Sequence, residues 1–412
     1  MHYTPTKLTR DAMRIYNQKL ILKLTQDFGP ISKAELSKIT QLTIPSVTDI
    51  LSELEFFGIV QNIGHTSIKR GRFPALYQLN SKAMNFIGIT IGSTSIKAAI
   101  INLESEIMDF QTVPLPANPI PENVLNEVVY LVNKLRKTDC TIYGIGLGMH
   151  GIVDFIKGIS IYPPHLNWDC FPIGEKLSQK VNLPVLVDND CNTLLLAERW
   201  FGEGKDTNAF ITINVDYGIG AGVMIQDHLF HGVNFGGGQI GHTIVTEDGP
   251  KCSCGNYGCL EAVASEPALL TSILKKIKKG FPTKLTEITN NPDTLTIEHI
   301  YEAVELGDEL AIHELQTAGR YIGIGISTMV NLFNPQKVIL TGGILNAKDI
   351  VLQPLKDAVY KHSLKTNTEK LSLVPSKLGK HAEVIGAATL CINEVFNGEQ
   401  SIENLFKHSN KE

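Results

Sequence analysis

The sequence predicts an α/β protein in which a small basic module precedes a larger, internally doubled body. Three observations predict this organisation. Helical spacing and turn signals fill the first eighty residues, whereas pairs of apolar strands linked by glycine turns begin near residues 86 and 209. After each pair, strand-like and helix-like segments alternate, as they do in α/β proteins. The 412 residues are enough for two or three domains with a substantial core.

The net charge of −5 is unevenly distributed along the chain. Residues 1–82 hold eleven Lys and Arg against six Asp and Glu, a balance of +5, which leaves 26 against 36, or −10, for the rest. A basic module on an acidic body favours a module that binds a polyanion, although a solvated basic face is the simpler alternative. Because there is no apolar run of 18 residues and no signal sequence, we expect a cytoplasmic protein.

The basic module begins with two predicted helices. Apolar residues recur at helical spacing over residues 11–28, and Gly29-Pro30 then ends the first helix. Ser32 and Glu35 have the spacing of a capping box, in which each side chain satisfies a free backbone donor of the first turn. A short second helix is therefore predicted to begin at Ser32.

The third predicted helix has Thr43 as its cap and Pro45 in its first turn. Its apolar face carries residues 47, 50, 51, 54 and 57. Two short helices joined by a tight turn form a helix-turn-helix, in which the third helix could present polar side chains to base edges; an ordinary three-helix surface is the alternative. The candidate DNA-reading side chains are Thr43, Ser46, Thr48, Asp49 and Ser52.

A basic connection between two predicted strands favours the DNA-binding interpretation. The strands cover residues 59–63 and 75–79, and the segment between them carries Lys69, Arg70 and Arg72. A hairpin of this kind is a wing, whose cations could contact phosphates or enter a narrow minor groove. We therefore predict a winged helix-turn-helix.

The body repeats one design. Residues 86–101 read as two buried strands joined by a turn at residues 92–95, and residues 209–225 repeat the arrangement of strand, glycine turn and strand. This doubling favours two related lobes with a cleft between them. Glycine turns between strands are common, so they indicate phosphate binding only weakly.

Between the two copies, the segment Asp188-Asn189-Asp190 follows a predicted strand that ends at Val187. Ligands bind at the carboxyl ends of strands in α/β sheets, so one of these side chains could bind a hydroxylated ligand. A helix begins near Asn192, however, and Asp190 or Asn192 could act only as its cap. The pattern alone leaves both interpretations open.

Four potential metal ligands lie within a short segment: His242, Cys252, Cys254 and Cys259. Three thiolates and one imidazole supply the four ligands of a closed tetrahedral zinc site, with no position left for a catalytic water. Gly255 and Gly258 would permit the tight turns that bring three sulfurs together. The sequence therefore predicts a structural Zn²⁺ ion.

At this motif the sequence resembles the ROK family of repressors, open reading frames and kinases. The family's sugar kinases carry Glu-x-Gly-His followed by Cys-x-Cys-Gly-x-x-Gly-Cys-x-Glu, which appear here as Gln239-Ile-Gly-His242 and Cys252-Ser-Cys-Gly-Asn-Tyr-Gly-Cys-Leu-Glu261. The resemblance runs from about Asn85 to Ala388. The preceding module is similar to that of the family's xylose and N-acetylglucosamine repressor branch, including a Gly-Arg-x-Pro element at Gly71–Pro74.

The resemblance implies an actin-like (ribonuclease H-like, sugar kinase) body of two lobes with a sugar bound in the cleft between them. The expected domains are residues 1–82 for the winged helix-turn-helix, 83–204 with about 385–412 for the first lobe, and 205–384 for the second lobe with the zinc motif. Carried over by motif, the implied sugar-binding residues are Gly151, Asn189, Asp190, Gln239, His242 and Glu261. Zinc would then orient His242 and stiffen the loop that carries Glu261.

Two departures from the kinase pattern argue against an enzyme. The first glycine turn of the kinases carries an aspartate that assists magnesium and phosphate, and Thr90 stands in its place. The second turn reads Asn214-Val-Asp-Tyr-Gly218, so an aspartate and a tyrosine occupy a loop whose backbone should cradle phosphates. Asp190 stands at the position of the kinase base, but without a phosphoryl donor it is only a ligand for a hydroxyl. Gln239 replaces a glutamate, which leaves the identity of the sugar open.

These features together predict a sugar-responsive transcriptional repressor of carbohydrate-use genes. The expected partners are operator DNA, a monosaccharide or sugar-derivative effector, and a second copy of the chain in a homodimer or tetramer. Sugar binding would shift the population of lobe arrangements and release the operator. The alternatives are an ATP-dependent sugar kinase with a DNA-binding module, and a repressor controlled by a protein of the sugar phosphotransferase system.

Overall fold

The computed structural model describes residues 9–64, 74–164, 166, 168–289, 291–398 and 403, which fall into two compact units. The first unit comprises Met1–His150, Asp154–Asp188 and Glu383–Glu412, and the second comprises Gly151–Val153 and Asn189–Ala382. The chain therefore returns to the first unit with its last helix. The domain boundaries expected from the sequence stay predictions. No described helix combines the length and the apolar character that a bilayer crossing requires.

The N-terminal part of the first unit contains three helices and a small antiparallel sheet. Its elements are α1 (Arg10–Phe28), β1 (Ile31–Ser32), α2 (Lys33–Thr40), α3 (Ile44–Phe56), β2 (Val60–Asn62) and β3 (Leu76–Leu79). The strands lie in the order β1-β3-β2. Strand β1 is not predicted from the sequence, because two residues are too short to show a periodicity. We call residues 9–79 the N-terminal module.

The helix starts predicted for this module are confirmed. The Ser32 hydroxyl accepts a hydrogen bond from the Glu35 N–H at 3.3 Å, and the Glu35 carboxylate accepts one from the Ser32 N–H at 2.9 Å. This is the reciprocal capping box. Thr43 caps α3 by accepting from the N–H of Ser46 at 3.4 Å. Each cap satisfies donors that have no partner within their helix.

The central sheet of the first unit is mixed. Its strands are β4 (Asn85–Ile91), β5 (Ser95–Asn102), β6 (Ile107–Pro114), β7 (Ile142–Met149) and β10 (Val185–Asn189), in the order β10-β7-β4-β5-β6. Two short strands, β8 (Ile152–Asp154) and β9 (Ile159–Tyr162), follow β7. The helices that follow the module in this part of the chain are α4 (Pro121–Leu135), α5 (Ile173–Val181) and, at its end, α14 (Ala382–Asn397).

The second unit is built around a corresponding mixed sheet. Its strands are β11 (Phe210–Val215), β12 (Ile219–Ile225), β13 (His228–Leu229), β14 (Lys337–Thr341) and β15 (Ser372–Pro375), in the order β13-β12-β11-β14-β15. Its helices are α6 (Asp190–Phe201), α7 (Leu260–Ala264), α8 (Glu266–Lys278), α9 (Leu285–Ile288), α10 (Ile297–Glu305), α11 (Glu309–Phe333), α12 (Asp349–His362) and α13 (Lys365–Thr368). Buried aliphatic side chains of α11, α12 and the sheet form the core.

The two sheets share one plan. In the first, β4 pairs antiparallel with β5 and parallel with β7. In the second, β11 pairs antiparallel with β12 and parallel with β14. Both hairpins lie where the sequence predicts them. The repeated design of strand, turn and strand is therefore a repeated sheet.

Close packing of α14 on the first sheet depends on two glycines. A Cβ atom at Gly88 of β4 would overlap the carbonyl oxygen of Val384, and one at Gly146 of β7 would overlap that of Ala387. Because neither strand position carries a side chain, the helix backbone lies directly against the sheet.

Candidate functional site

Four ligand atoms converge in the second unit as the sequence predicts. The Sγ atoms of Cys252, Cys254 and Cys259 and a ring nitrogen of His242 all lie within 4.8 Å of one another. The Cys254 and Cys259 sulfurs are 3.7 Å apart, and the Cys252 sulfur is 3.6 Å from Nδ1 of His242. Cys252 and Cys259 are buried, His242 is half-buried and Cys254 is exposed.

The loop that carries the cysteines is held by its own backbone. The Cys252 N–H donates to the Asn256 carbonyl at 2.8 Å, and the Gly255 N–H donates to the Cys252 carbonyl at 3.0 Å. Gly255 and Gly258 have φ angles of 98° and 70°, in the left-handed region that favours glycine. A Cβ atom at Gly258 would also overlap the Thr246 carbonyl oxygen. The two glycines therefore allow the turn that the cluster requires.

The spacing of the four atoms fits a tetrahedral metal ion. With metal–sulfur bonds of about 2.3 Å and metal–nitrogen bonds of about 2.0 Å, such an ion has ligand–ligand distances of about 3.8 Å between sulfurs and about 3.5 Å between sulfur and nitrogen. The two measured distances agree with these values. Burial and the neighbouring thiols raise the pKa of Cys259 to about 12, so a cation is needed to hold all three sulfurs as thiolates.

Asn189 caps α6, a role that the sequence analysis considers for Asp190 or Asn192. Its Oδ1 accepts from the backbone N–H groups of Cys191 at 2.9 Å and Asn192 at 3.3 Å. Its Nδ2 donates to the carbonyl oxygen of Gly151 at 2.8 Å, and Gly151 has a φ angle of 97°. Asn189 therefore joins two segments that the resemblance assigns to the sugar site.

Asp190 and Glu261 approach the same region from two helices. Asp190 is the first residue of α6, and its Oδ1 accepts from the Cys191 N–H at 2.9 Å. The Oε2 atom of Glu261, in the first turn of α7, accepts from the Ile219 N–H at 3.1 Å. Burial raises the pKa of the Cys191 thiol well above its usual value, and the carboxylates of Asp190, Asp216 and Glu261 add to the shift. The charges of these three carboxylates therefore act on Cys191, in the first turn of α6.

His242 connects this region to the metal cluster. It ends a 3-10 helix formed by Ile240–His242, and its Nδ1 faces the Cys252 sulfur. A Cβ atom at Gly241 would lie 3.4 Å from Cβ of Glu261, so the two segments are in contact. Gln239, just before the 3-10 helix, is exposed. The second unit thus brings the predicted sugar-site residues together around α6, β12 and α7.

The second glycine turn contains an interaction that the sequence analysis does not predict. The Asp216 carboxylate accepts a hydrogen bond from the Gly343 N–H at 2.7 Å, and the hydroxyl of Tyr301 donates to Glu266 at 3.0 Å. Burial, together with the nearby Asp216 charge, raises the pKa of Glu266 to about 7. The parallel pairing of Asn214 with Thr341 places the turn after β11 beside the turn after β14, which contains Gly343.

A sequence signal for this interaction exists. Asp216 and Gly343 each follow an apolar run typical of a buried strand, and the carboxyl ends of parallel strands meet at one edge of a sheet. That rule places Asp216 beside Gly343 only once β11 and β14 are known to be neighbours. It gives no information about Glu266 and Tyr301, which come from helices.

The candidate DNA-reading residues lie on and before α3. Thr43, Ser46, Asp49 and Ser52 are exposed and Thr48 is half-buried, whereas Val47 and the rest of the predicted apolar face point inward, with Phe57 only half-buried. The hydroxyls of Thr43 and Ser46 are 2.9 Å apart. Lys69, Arg70 and Arg72 of the predicted wing lie outside the described residues.

The paired mixed sheets and the His/Cys cluster define a protein with the α/β architecture of ROK regulators and sugar kinases. The ROK family model matches residues 86–394, and the chain therefore belongs to the ROK family. It is 32% identical over 385 residues to the xylose repressor of Caldicellulosiruptor bescii, covering 92% of this chain and 96% of the relative. It is 28% identical over 391 residues to the DNA-binding transcriptional dual regulator NagC of Escherichia coli, covering 94% and 95%.

Solved structures give the same assignment. A ROK family transcriptional regulator, described as a homolog of the E. coli MLC protein, is 28% identical and superposes with a TM-score of 0.85 over 97% of this chain and 99% of its own. A ROK family glucokinase from Streptomyces griseus, in complex with glucose and AMPPNP, is 28% identical with a TM-score of 0.69 over 74% of this chain and 98% of its own. The similarity to the regulator thus includes the N-terminal module.

Proposed function

We propose that this protein is a sugar-responsive DNA-binding transcriptional repressor of carbohydrate-use genes, and that a monosaccharide releases it from its operator. The observation that carries the proposal is the similarity over 97% of the chain to a ROK family transcriptional regulator, which extends through the module in front of the ROK body. The similarity to the glucokinase covers only 74% of the chain. Relatives named xylose repressor support the same function.

The N-terminal module is the proposed DNA-binding part. The α2–α3 pair has helix-turn-helix order, and α3 carries small polar side chains on its exposed face, as a recognition helix does. β2 and β3 flank the basic connection, as the strands of a wing would. Phosphate contacts by Lys69, Arg70 and Arg72 would position the module, and side chains such as Ser46 and Asp49 would read bases.

The proposed effector site lies in the second unit. Asp190 and Glu261 supply carboxylate acceptors, and His242 supplies a ring nitrogen, for neighbouring sugar hydroxyls. Gln239 adds an amide that can both donate and accept. Asn189 orients Gly151 through its hydrogen bond to that carbonyl. The amide of Asn189 is thus a positioning group as well as a proposed sugar contact.

Zinc is the proposed occupant of the His/Cys cluster. His242, Cys252, Cys254 and Cys259 would hold it, and it would supply a fixed tetrahedral anchor with no open position for catalysis. With Nδ1 of His242 on the metal, the other ring nitrogen is oriented for a sugar hydroxyl. Cys259 immediately precedes α7, so the anchor also fixes the helix that carries Glu261.

We propose that the protein has lost kinase activity. The Asp216 carboxylate accepts the Gly343 N–H that a phosphate would otherwise approach, and its charge repels a polyanion. Thr90 provides no carboxylate for magnesium. Asp190 would then bind a sugar hydroxyl, but no phosphoryl group would be transferred to that hydroxyl. A coupled assay with magnesium, ATP and common hexoses should detect no phosphorylation.

A thermal-shift screen with a monosaccharide panel that includes xylose and N-acetylglucosamine tests the effector site. A sugar at 100 times its dissociation constant should stabilise the protein by about 2.7 kcal/mol. Asp190→Ala should abolish the shift without unfolding α6, because Asn189 keeps the cap. Asp206→Ala, which removes an exposed carboxylate of the same unit, should retain it. A full shift with Asp190→Ala would contradict the assignment of the site.

A further inference from the structure

Lys19 is a buried cation that joins α1 to the end of α14. The residue is only 7% exposed. Its Nζ donates to the carbonyl oxygens of Glu394 at 2.9 Å and Val395 at 2.5 Å. These carbonyls belong to the last turn of α14, where backbone acceptors lack partners within the helix and the helix dipole is negative. The Glu394 carbonyl also accepts from the N–H of Gly398, the residue after the helix, at 3.0 Å. The ammonium therefore completes the C-terminal end of the helix.

A buried lysine is an unusual choice for a simple packing contact. Burial of an ammonium costs free energy unless it is hydrogen-bonded, and an aliphatic side chain would pack without that cost. Burial lowers the pKa of Lys19 to about 8, and the Glu394 charge partly opposes this shift, so the charged form still predominates at neutral pH. The contact is thus directional, since it depends on where two specific carbonyl groups lie.

The other end of α14 lies where the chain passes from the second unit back to the first. Glu383, in its first turn, forms an ion pair with Lys97 of β5 at 2.8 Å, and the division between the two units falls at Ala382 and Glu383. A helix of 16 residues spans about 24 Å. Because Gly88 and Gly146 let its backbone lie directly on β4 and β7, we expect α14 to move together with these strands. It leads from the junction between the units to the N-terminal module.

The covalent link at residues 80–81 is another attachment between this module and the rest of the first unit. Asn80 binds the module, since its N–H donates to Ile59 at 2.7 Å and its Nδ2 to Gly58 at 2.9 Å. The next residue, Ser81, accepts from the Leu103 N–H at 3.2 Å. The contacts at Asn80 and Lys19 therefore both constrain the orientation of the module.

We propose that the contact between Lys19 and the last turn of α14 transmits the state of the effector-binding body to the DNA-binding module. This inference rests on the proposed function. A displacement of α14 that moves the two carbonyl groups carries α1 with it. Because α1 packs against α3 and Arg14 of α1 also pairs with Glu53 of α3 at 2.9 Å, we expect α3 to move with α1. Lys19 is therefore a positioning residue that contacts neither sugar nor DNA.

Lys19→Met tests the coupling, because it keeps an unbranched side chain of similar length and removes the donor. The matched control is Lys23→Met, one turn further along α1, where the lysine forms a surface ion pair with Asp27 at 3.0 Å. The probe is a DNA duplex selected by the wild-type full chain from a random library, and its affinity is measured with and without the sugar that the thermal-shift screen identifies. In wild type and Lys23→Met, we expect the sugar to weaken binding about tenfold or more.

In Lys19→Met we expect the sugar to change duplex affinity less than about twofold while it still produces its full thermal shift. Sugar binding would then be intact and its transmission lost. A Lys19→Met protein that binds duplex more weakly, but releases it with the wild-type ratio, would overturn the proposal, because Lys19 would be only a structural contact.

Hydrogen exchange without sugar or DNA separates this inference from the proposed function. We expect α1 amides to exchange about tenfold faster in Lys19→Met than in wild type, with the amides of β11 and β14 unchanged. Unchanged exchange in α1 would overturn the coupling. If no sugar alters duplex binding by the wild type, the proposed function fails instead, and the exchange result alone decides whether Lys19 ties the module to α14.

Discussion

At the scale of single residues, Asn189 shows how one side chain can serve both a fold and a site. The resemblance to ROK kinases assigns it to the sugar, and the structure uses its oxygen to cap α6 and its amide to bind Gly151. Both descriptions are compatible, because a ligand at the start of α6 requires the Gly151 segment to be in place. The main cap of α6 is thus Asn189, and Asp190 is the first residue of the helix.

The metal cluster gives a residue-scale prediction. If four ligands share about 10–16 kcal/mol of binding free energy, losing one costs roughly 3 kcal/mol, or about 100-fold in zinc affinity. We therefore expect Cys254→Ser to lose zinc during purification against a weak chelator and to unfold at a lower temperature. Metal analysis by mass spectrometry and a melting curve measure both effects.

Cys170→Ser is the matched control for this experiment, because Cys170 is also exposed and lies outside the cluster. It should keep the zinc content of the wild type. A wild-type protein that contains no zinc, or a Cys254→Ser variant that holds it as tightly as the wild type, would contradict the prediction.

The sequence predicts the four metal ligands because their chemistry is unusual and their spacing is short. It does not predict the contacts of Asp216, because these depend on which strands become neighbours. Glu266 and Tyr301 lie still further from any sequence signal, since each comes from a helix whose position on the sheet is set by tertiary packing. The sequence thus predicts a site whose residues are close together in the chain, but it does not predict contacts between residues that are far apart in it.

At the scale of secondary-structure elements, caps and glycine turns determine the boundaries. The capping box at Ser32 and the threonine cap at residue 43 fix the starts of α2 and α3 to the residue. The hairpin turns near residues 92 and 216 each end one apolar strand and begin the next. These elements are predictable because each is specified by residues close together in the sequence.

The contact between α14 and the first sheet gives an element-scale prediction. Gly146→Ala would place a methyl group on the Ala387 carbonyl oxygen, and overpacking of this kind costs about 1–3 kcal/mol or more. We expect urea denaturation to show this loss of stability. Gly236→Ala is the control, because no atom lies within 4 Å of the Cβ position there, and it should leave stability within about 0.5 kcal/mol of wild type. Equal stability of the two variants would show that α14 does not pack tightly.

At the scale of the whole molecule, the charge division between residues 1–82 and the rest is consistent with DNA binding by one end of the chain. The acidic remainder would repel DNA and discourage binding elsewhere. The doubled sheet plan is predictable from the repeated hairpins, because each repeat carries its own strand and turn signals. The contact of Lys19 with α14 is not, since 375 residues separate the partners and a lysine in a helix ordinarily reads as solvated.

The proposed wing gives a prediction at this scale. If Arg70 and Arg72 each neutralise a phosphate, then each alanine substitution should weaken duplex binding and reduce the slope of log affinity against log salt by about 1. Lys278→Ala, which removes an exposed cation from α8 of the second unit, should leave the slope unchanged. Fluorescence anisotropy over a salt series measures these slopes. Identical slopes in all three variants would remove the wing from the DNA interface.

The bond between Lys19 and the end of α14 also has a consequence for biosynthesis. The ribosome makes α1 among the first elements, yet the acceptors of its buried ammonium are 375 and 376 residues further along. At roughly 5–20 residues per second, α1 waits about 20–75 s for them. A nascent chain therefore carries the proposed DNA-binding module before the helix that anchors it has been made.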